Sequence, residues 1–551
     1  MKERIQSEKR GRQLFFLIVL LQLLLCLWMG YNKRSFFCDE IYSYGLANSE
    51  DYTFLDYQSS KVYGANTGGW VDSNYFRNYV EVNADTPFSF SAVVRNQIRD
   101  VHPPLYYMLL HIVCALFPDM FTKWTGIFLN LIIMLLVDGL LYYVSQIAFE
   151  DRNKKLIALF MWSFSAAAVS NVLFIRMYLL QTAEILGYIA VHIYIFKQKN
   201  KCKFRNLAIL YAIVIVSGLT HYYFYPFAFF FSAPVCIFLL YKKKFLDFLK
   251  YSGTLMMGFL TNLLIFPATV LYHLGIGGYR GHEVVRNLAG REEHVFKNAY
   301  LKWINNSLFG GLLKPLLAVL LLVLICRIFL LLFSVKIQWT SNGKVKIVIE
   351  KTERNSRCEI WINQKVTLYA LTSIATVGFA YVAMVGSQLV SNRYIYPIYP
   401  IVSLWIVSIL FLLIKNRILV FCFTAIMCVL SIKKYGIDFQ YSDYDRFAKE
   451  AEQVKGDDCL LYYGDEWLDI YTALPLKFQY DETYFFHPQE INNLNNILRR
   501  RSTYDDVVVC LPDNMSEEEA SKLLNEILSN TEYSSYDYVY HYFTQAYLLK
   551  H

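Results

Sequence analysis

The chain has 551 residues, 56% of them apolar and 18% charged, with a net charge of +8. Soluble proteins carry roughly 25% charged residues. Here the apolar excess lies in long uncharged runs, the signature of membrane spans, which excludes disorder, a collagen-like repeat and a purely soluble enzyme. The basic residues cluster in short loops, at 2–12, 152–155, 197–205, 242–250, 344–351 and 415–417. Such loops mark the cytoplasmic side, so the positive charge reports topology and not a nucleic-acid partner.

A basic start precedes the apolar run 14–30. No small-x-small cleavage site follows, so the run is predicted as an uncleaved first span, inside to outside. A long polar loop, 31–103, comes next without a basic cluster, and its length makes it a functional candidate. Segment 105–117 is apolar but short for a span, which suits a re-entrant or interfacial helix. Full spans are predicted at 124–149, 156–174, 177–196, 207–220, 227–241, 255–271, 308–333, 366–385, 395–413 and 418–432. An insert at 335–365 is expected on the cytoplasmic side. Its alternating run 344–349 beside Asn342-Gly343 reads as a β-hairpin.

The expected topology is eleven spans, a cytoplasmic N-terminus and an extracytoplasmic C-terminus. From about 433 onward the composition becomes soluble. Segments 460–463 and 507–511 read as buried strands, and 490–500 and 516–529 as helices, with Ser516 and Glu519 forming a capping box. The fold class predicted is a polytopic α-helical membrane protein with a large first external loop and a small C-terminal α/β domain. The boundary is set between 1–432 and 433–551. The cysteines show no metal spacing. Cys459 and Cys510 fall in the two apolar strands and could pair if that region is exported, but core thiols are the preferred reading.

Four short motifs carry chemistry. Asp39 and Glu40 follow closely on the first span, where a carboxylate can accept a proton from a hydroxyl or hold a cation. Taken alone they are an ordinary acidic helix start. In Asp100-Val-His102-Pro103-Pro104-Leu, the prolines open a helix and hold Asp100 and His102 at the interface. Arg176, followed by Met177 and Tyr178, is the one basic residue between Lys155 and Lys197. It can snorkel, or its guanidinium can clamp a phosphate. Arg393-Tyr394 is a second lone arginine at an outer span end, a place that the charge rule disfavours. Two such arginines suggest one anion site. His221-Tyr222-Tyr223 lies on the same face, as does the loop with His273, Arg280, His282, Arg286, Arg291 and His294, where any single histidine is ordinarily a surface residue.

In this order, Asp39-Glu40, Asp100-Val-His102-Pro-Pro-Leu, Arg176-Met-Tyr178, His221-Tyr222-Tyr223 and Arg393-Tyr394 give the chain a resemblance. Over about residues 10–430 it resembles the family 39-type, GT-C fold glycosyltransferases, which include protein O-mannosyltransferases, aminoarabinose transferases and the RgtA/B/C/D-like group. The resemblance implies a membrane glycosyltransferase that takes a sugar from a polyprenyl-phosphate donor. The acceptor would be a hydroxyl of a glycan, lipid or protein at the outer face, and the configuration would invert. It makes Asp39 the general base, with Glu40 supporting it or helping to bind a metal. Asp100 and His102 would shape the acceptor side. Arg176 and Arg393 would stabilise the leaving phosphate, with Tyr178, His221 and Tyr394 beside them. A divalent cation is left open. No nucleotide cofactor is expected, since there is no Gly-rich nucleotide loop and no Rossmann unit. Two other readings remain. A transporter of lipid-linked sugars would use acidic residues within spans, of which Asp138 and Glu184 are the clearest, but no internal repeat accompanies them. A membrane-anchored binding protein would put its work in the C-terminal domain, and the large first loop with its two motifs argues against that.

Overall fold

The computed structural model describes residues 2–198, 201–274, 279–290, 293–339, 345–351, 364–387, 389–464, 469–499 and 506–551. Among the described residues, seven helices are long and apolar enough to cross a membrane: Lys9–Asn32, Lys123–Ile147, Tyr178–Lys197, Phe224–Tyr241, Gln364–Gly386, Asn392–Leu413 and Arg417–Tyr435. Two more spans arise if bent pairs are joined, Arg152–Ser163 with Ala166–Leu173 at 57° and Asn298–Phe309 with Leu313–Val323 at 83°. The expectation of eleven spans exceeds these nine by the segments 207–220 and 255–271. The first forms the helix Phe204–Gly218, 15 residues long, short of the roughly 20 that a bilayer needs. The second starts early, at Phe245, so Asp247 and Lys250 dilute its apolar run.

One bend falls inside the predicted span 156–174 and the other at the start of 308–333, whose body is the helix Leu313–Leu332. Ser165 stops the first helix and restarts it, its hydroxyl accepting from the Ala168 N–H at 3.2 Å. The second breaks at Gly310 and Gly311, with φ of 58° and 87°, the left-handed region that glycine alone enters freely. Segment 105–117 forms the helix Leu105–Ala115, 11 residues long, too short to span.

The basic loops at 2–12, 152–155 and 415–417 meet at one end of the helical bundle. Gly11 lies against Arg152, Arg417 pairs with Asp151 at 2.7 Å, and Lys365 pairs with Glu150. The first helix runs away from that end, so the chain after Asn32 emerges at the opposite one. There the first loop folds instead of lying open. It forms the helices Cys38–Asn48, Tyr57–Tyr63, Ser73–Val80 and Phe90–Arg99, and the strand β1, Trp70–Asp72.

The remaining strands are β2 (Phe333–Trp339), β3 (Val345–Lys351), β4 (Asp458–Tyr462), β5 (Glu482–Phe486), β6 (Val507–Pro512), β7 (Ser535–His541) and β8 (Thr544–Lys550). Strands β2 and β3 pair antiparallel from Phe333↔Lys351 to Trp339↔Val345. Asn342, Gly343 and Lys344, which carry the predicted turn, lie outside the described residues. The other six strands form one sheet, ordered β1-β5-β4-β6-β8-β7. Strand β4 runs parallel to β5 and β6, and β1 joins β5 antiparallel, with Trp70 opposite Tyr484. The C-terminal sheet thus takes an edge strand from the first loop, a pairing of sequence-distant segments that no local pattern announces.

One face of the sheet, with Cys459, Leu461, Val508 and Cys510, joins the main core. The other, with Leu460, Val509 and Leu511, packs on Leu524 and Ile527 of the helix Glu517–Ser529. That helix begins with the Ser516–Glu519 capping box. Cys459 and Cys510 are free thiols in the core, their sulfurs 3.6 Å apart. Segment 490–500 splits into the 3₁₀ turn Pro488–Asn493 and the helix Leu494–Arg499, and Arg500 lies outside the described residues.

Candidate functional site

The helix Cys38–Asn48 sets the centre. Its first turn carries both carboxylates, which suits the positive end of the helix dipole. Adjacent helical residues point about 100° apart, so the two separate. Glu40 turns inward and is fully buried. One carboxylate oxygen accepts from Lys33 Nζ at 2.9 Å and from the Phe37 N–H at 2.8 Å. The other accepts from the Ile175 N–H at 3.0 Å. Asp39 turns the other way, 18% exposed at the side chain, and its Oδ2 meets Arg393 Nη1 at 2.8 Å.

Arg176 sits in the break between Ala166–Leu173 and Tyr178–Lys197. That break leaves backbone groups to satisfy. Asn130 donates to the carbonyls of Val172 and Phe174, both at 2.9 Å, and Glu40 accepts from Ile175. Gly126 lets its helix approach this turn, since a Cβ there would lie 2.3 Å from Ile175. The held turn directs Arg176 Nη1 to the Asp39 carbonyl at 3.1 Å and to Ser43 Oγ at 3.3 Å. Its guanidinium lies 5.8 Å from the Tyr107 ring centre.

Arg393 is carried by the 3₁₀ turn Asn392–Ile398. Asp438, just past the last span, anchors this turn by accepting from Asn392 Nδ2 at 2.9 Å and Tyr396 OH at 2.7 Å. The Arg393 guanidinium lies 5.2 Å from the Phe37 ring and 5.3 Å from the Tyr394 ring. Both arginines are buried, and in both the Nε has no hydrogen-bond partner among the described residues.

The Pro103-Pro104 pair opens the helix Leu105–Ala115, and the Leu105 N–H donates to the Leu219 carbonyl at 3.0 Å. This brings the first-loop motif to the His221 segment. His102 Nδ1 meets Asp100 Oδ2 at 2.8 Å, and the His102 and His221 ring centres are 5.7 Å apart. His221 lies 5.7 Å from Tyr178, which lies 6.2 Å from Tyr394. Asp39, Asp100, His102, Arg176, Tyr178, His221, Arg393 and Tyr394 therefore form one contiguous cluster drawn from five separate stretches of chain.

Charge sets the protonation states. Burial alone would raise the Asp39 carboxyl, but Arg393, then Arg176 and His102, outweigh it and hold the group below the usual carboxylate range. Asp100 is likewise pushed up by burial and pulled further down by His102 and Arg176, to about 2. Burial lowers His102 more than Asp100 raises it, and His221 is lowered too, by burial first and then by His102 and Arg176. At neutral pH the cluster thus holds two carboxylates, two guanidiniums and neutral imidazoles. A neutral His102 beside an ionised Asp100 must carry its proton on Nδ1, leaving the Nε2 lone pair available.

The structure sets several residues apart from the cluster. Both Glu40 oxygens are engaged, by Lys33, Phe37 and Ile175, so it holds the turn that carries Arg176. His282 and Arg286 are exposed on the helix Tyr279–Gly290 and have no place in the cluster. The side chains of His273, Arg280 and His294, and Arg291 entirely, lie outside what is described. No group of three or more His, Cys, Asp or Glu side chains is placed to hold a metal among the described residues. Three contributors escaped the sequence reading: Lys33, Ser43 and Asp438. Lys33 carried a signal, as a cation beside Arg34 on the expected outer side. Asp438 carried none.

Of the two acids within spans, Asp138 accepts from the Gln22 amide once that amide is turned to donate, and the same amide nitrogen also reaches Ser163 Oγ. Glu184 accepts from Thr220 at 2.5 Å. The other Glu184 carboxylate oxygen is buried without a hydrogen-bond partner among the described residues.

No protein-family profile and no curated protein matches this sequence. Among solved structures the chain is similar to ArnT from Cupriavidus metallidurans bound to undecaprenyl phosphate, with 10% identity, a TM-score of 0.48, and coverage of 96% of this chain and 97% of that one. It is also similar to the apo state of that protein, with 10% identity, a TM-score of 0.38, and coverage of 92% and 95%. At this identity, and with TM-scores below 0.5, neither likeness assigns this chain a chemistry.

Proposed function

We propose that this chain is a GT-C-type glycosyltransferase that moves a sugar from a polyprenyl-phosphate donor to a hydroxyl acceptor, with inversion. The observation that carries this reading is the pair of buried arginines flanking Asp39, each with a free Nε. Guanidinium planes match phosphate oxygens and act best where charge develops away from water. In the reaction, Asp39 takes the proton of the acceptor hydroxyl. The acceptor oxygen bonds to the anomeric carbon while the bond from that carbon to the phosphate oxygen breaks. Polyprenyl phosphate leaves, with its new charge on Arg176 and Arg393. A donor phosphate competing for Arg393 would loosen the Asp39 pair and so raise the basicity of Asp39 at the moment it is needed.

A second assignment of the base has its own support. The 2.8 Å Asp100–His102 contact orients a neutral imidazole with Nε2 free, the arrangement of an oriented general base. Comparing His102→Ala with Asp39→Asn separates the two: the base is the residue whose loss lowers kcat while donor binding persists. The lack of basic loops, among the described residues, at the end of the bundle that carries the site supports an extracytoplasmic location, for which a reporter fused at Asn514 should read outside. The function is tested by incubating purified protein with labelled polyprenyl-phosphate sugars and a cell-envelope acceptor extract. The expected result is label in the acceptor with equal release of polyprenyl phosphate. Label that crosses a vesicle membrane without transfer would favour a transporter instead.

A further inference from the structure

A cavity of about 390 Å³ lies where the chain leaves the last span and meets the β7–β8 hairpin. Its size falls within the roughly 300–1,000 Å³ of small-molecule sites. Aromatic rings build its wall. Tyr441 and Phe543 have ring centres 6.0 Å apart at 73°, and Tyr444 meets Tyr542 at 5.3 Å and 66°. Two of these residues hold left-handed backbone, Tyr441 at φ 51° and Phe543 at φ 50°. Bulky side chains rarely adopt that conformation, and here it is used where the rings face the cavity.

The polar lining has one sign. Asp443 and Asp513 line the cavity with His541, whose Nε2 meets Asp513 Oδ1 at 2.7 Å. No lysine or arginine is among the described lining residues. The neighbouring arginines are occupied elsewhere, Arg34 with Asp445 at 3.3 Å and Arg446 with Glu450 at 3.6 Å. A phosphate or carboxylate would meet Asp443 and Asp513 here with no lysine or arginine in the described lining to offset them. A ligand with several hydroxyl donors and apolar C–H faces would find acceptors and flat rings together.

We propose that this cavity is a saccharide-binding subsite, selective for neutral or amino sugars over acidic ones. It adjoins the arginine cluster. Tyr441 lies 5.8 Å from Lys33 Nζ, Lys33 donates to the Phe439 carbonyl at 2.7 Å, and Phe439 packs on Phe37 at 5.0 Å, the ring beside Arg393. A glycan seated on Tyr441 and Phe543 would run toward Asp39. As an acceptor site this rests on the transferase reading; as a binding site it does not.

The test uses full-length protein in nanodiscs of neutral lipid, without donor, titrated with trimers of N-acetylglucosamine, glucosamine and galacturonic acid. Binding is followed by saturation-transfer NMR and calorimetry. The first two trimers should bind saturably and the acidic trimer should not. Asp513→Asn and the surface change Asp443→Ala should each weaken binding about tenfold, the loss of one hydrogen bond to a charged group. Tyr441→Leu should weaken it at an unchanged unfolding temperature, and if that variant is destabilised the two aspartate variants decide. Asp39→Asn should bind the trimers as wild type does. Trimers that bind while no transfer is found would leave the subsite standing and sink the transferase reading. Transfer without trimer binding, equal binding of the acidic trimer, or binding insensitive to Asp443 and Asp513 would overturn the subsite.

Discussion

Asp39 and Glu40 are neighbours in sequence, each paired with one cation, and they do opposite work. The Glu40–Lys33 pair is fully buried on both sides, and Glu40 also satisfies two backbone N–H groups. Nothing of it is left for a ligand. The Asp39–Arg393 pair is 18% and 7% exposed, faces a cluster of rings, and leaves the Arg393 Nε without a partner. A saturated buried pair fixes geometry, whereas a partly exposed, partly saturated one can exchange partners. The helical offset of about 100° separates the two roles.

Four changes would break or sharpen this contrast. The largest effect is expected from Asp39→Asn, which keeps shape and removes basicity. Turnover should fall about 100- to 10,000-fold, with donor binding and unfolding temperature nearly unchanged. Lys33→Met should show the reverse pattern. It strands the buried Glu40 charge, which costs about 3–5 kcal/mol of stability, read as a lowered unfolding temperature in detergent; a variant as stable as wild type would show that the pair is not structural. Arg393→Lys keeps the charge but loses the planar fork, and should raise the donor KM about tenfold while leaving kcat less affected.

The smallest effect concerns pH. Asp39 has a folded value below the ordinary one of about 4. Its contribution to stability is therefore complete above that ordinary value and is lost only as pH falls through the lower folded value. Acidification from pH 7 to 5 should leave the protonation of this pair unchanged, while the buried neutral His102 and His221, held below the ordinary imidazole range, lower the unfolding temperature in the same window. A titration of Asp39 in that window, seen by infrared difference spectroscopy against Asp39→Asn, would show that Arg393 does not hold it.

Much of the contrast was legible before the fold. Isolated arginines at span ends, proline pairs and acidic helix starts are local signals, and Arg176, Arg393, Asp100 and His102 came from them. The choice between Asp39 and Glu40 was not local, because it depends on Ile175 and Lys33 arriving on one side and Arg393 on the other. The breaks at Ser165 and Gly310–Gly311 lay inside apolar runs, where hydropathy shows no interruption. The sheet misled most: β1 is a three-residue strand in a polar loop, and its partner β5 lies about four hundred residues later. Asp438 reads as an ordinary polar residue after a span until Asn392 and Tyr396 are placed against it.

The most direct test is single-turnover transfer by purified protein from a labelled polyprenyl-phosphate sugar, run beside equilibrium donor binding on wild type, Asp39→Asn and Arg393→Lys. Transfer by wild type, loss of transfer with retained donor binding in Asp39→Asn, and weakened donor binding in Arg393→Lys are the predicted results. Wild-type transfer rates in Asp39→Asn, or donor affinity unchanged in Arg393→Lys, would contradict the account.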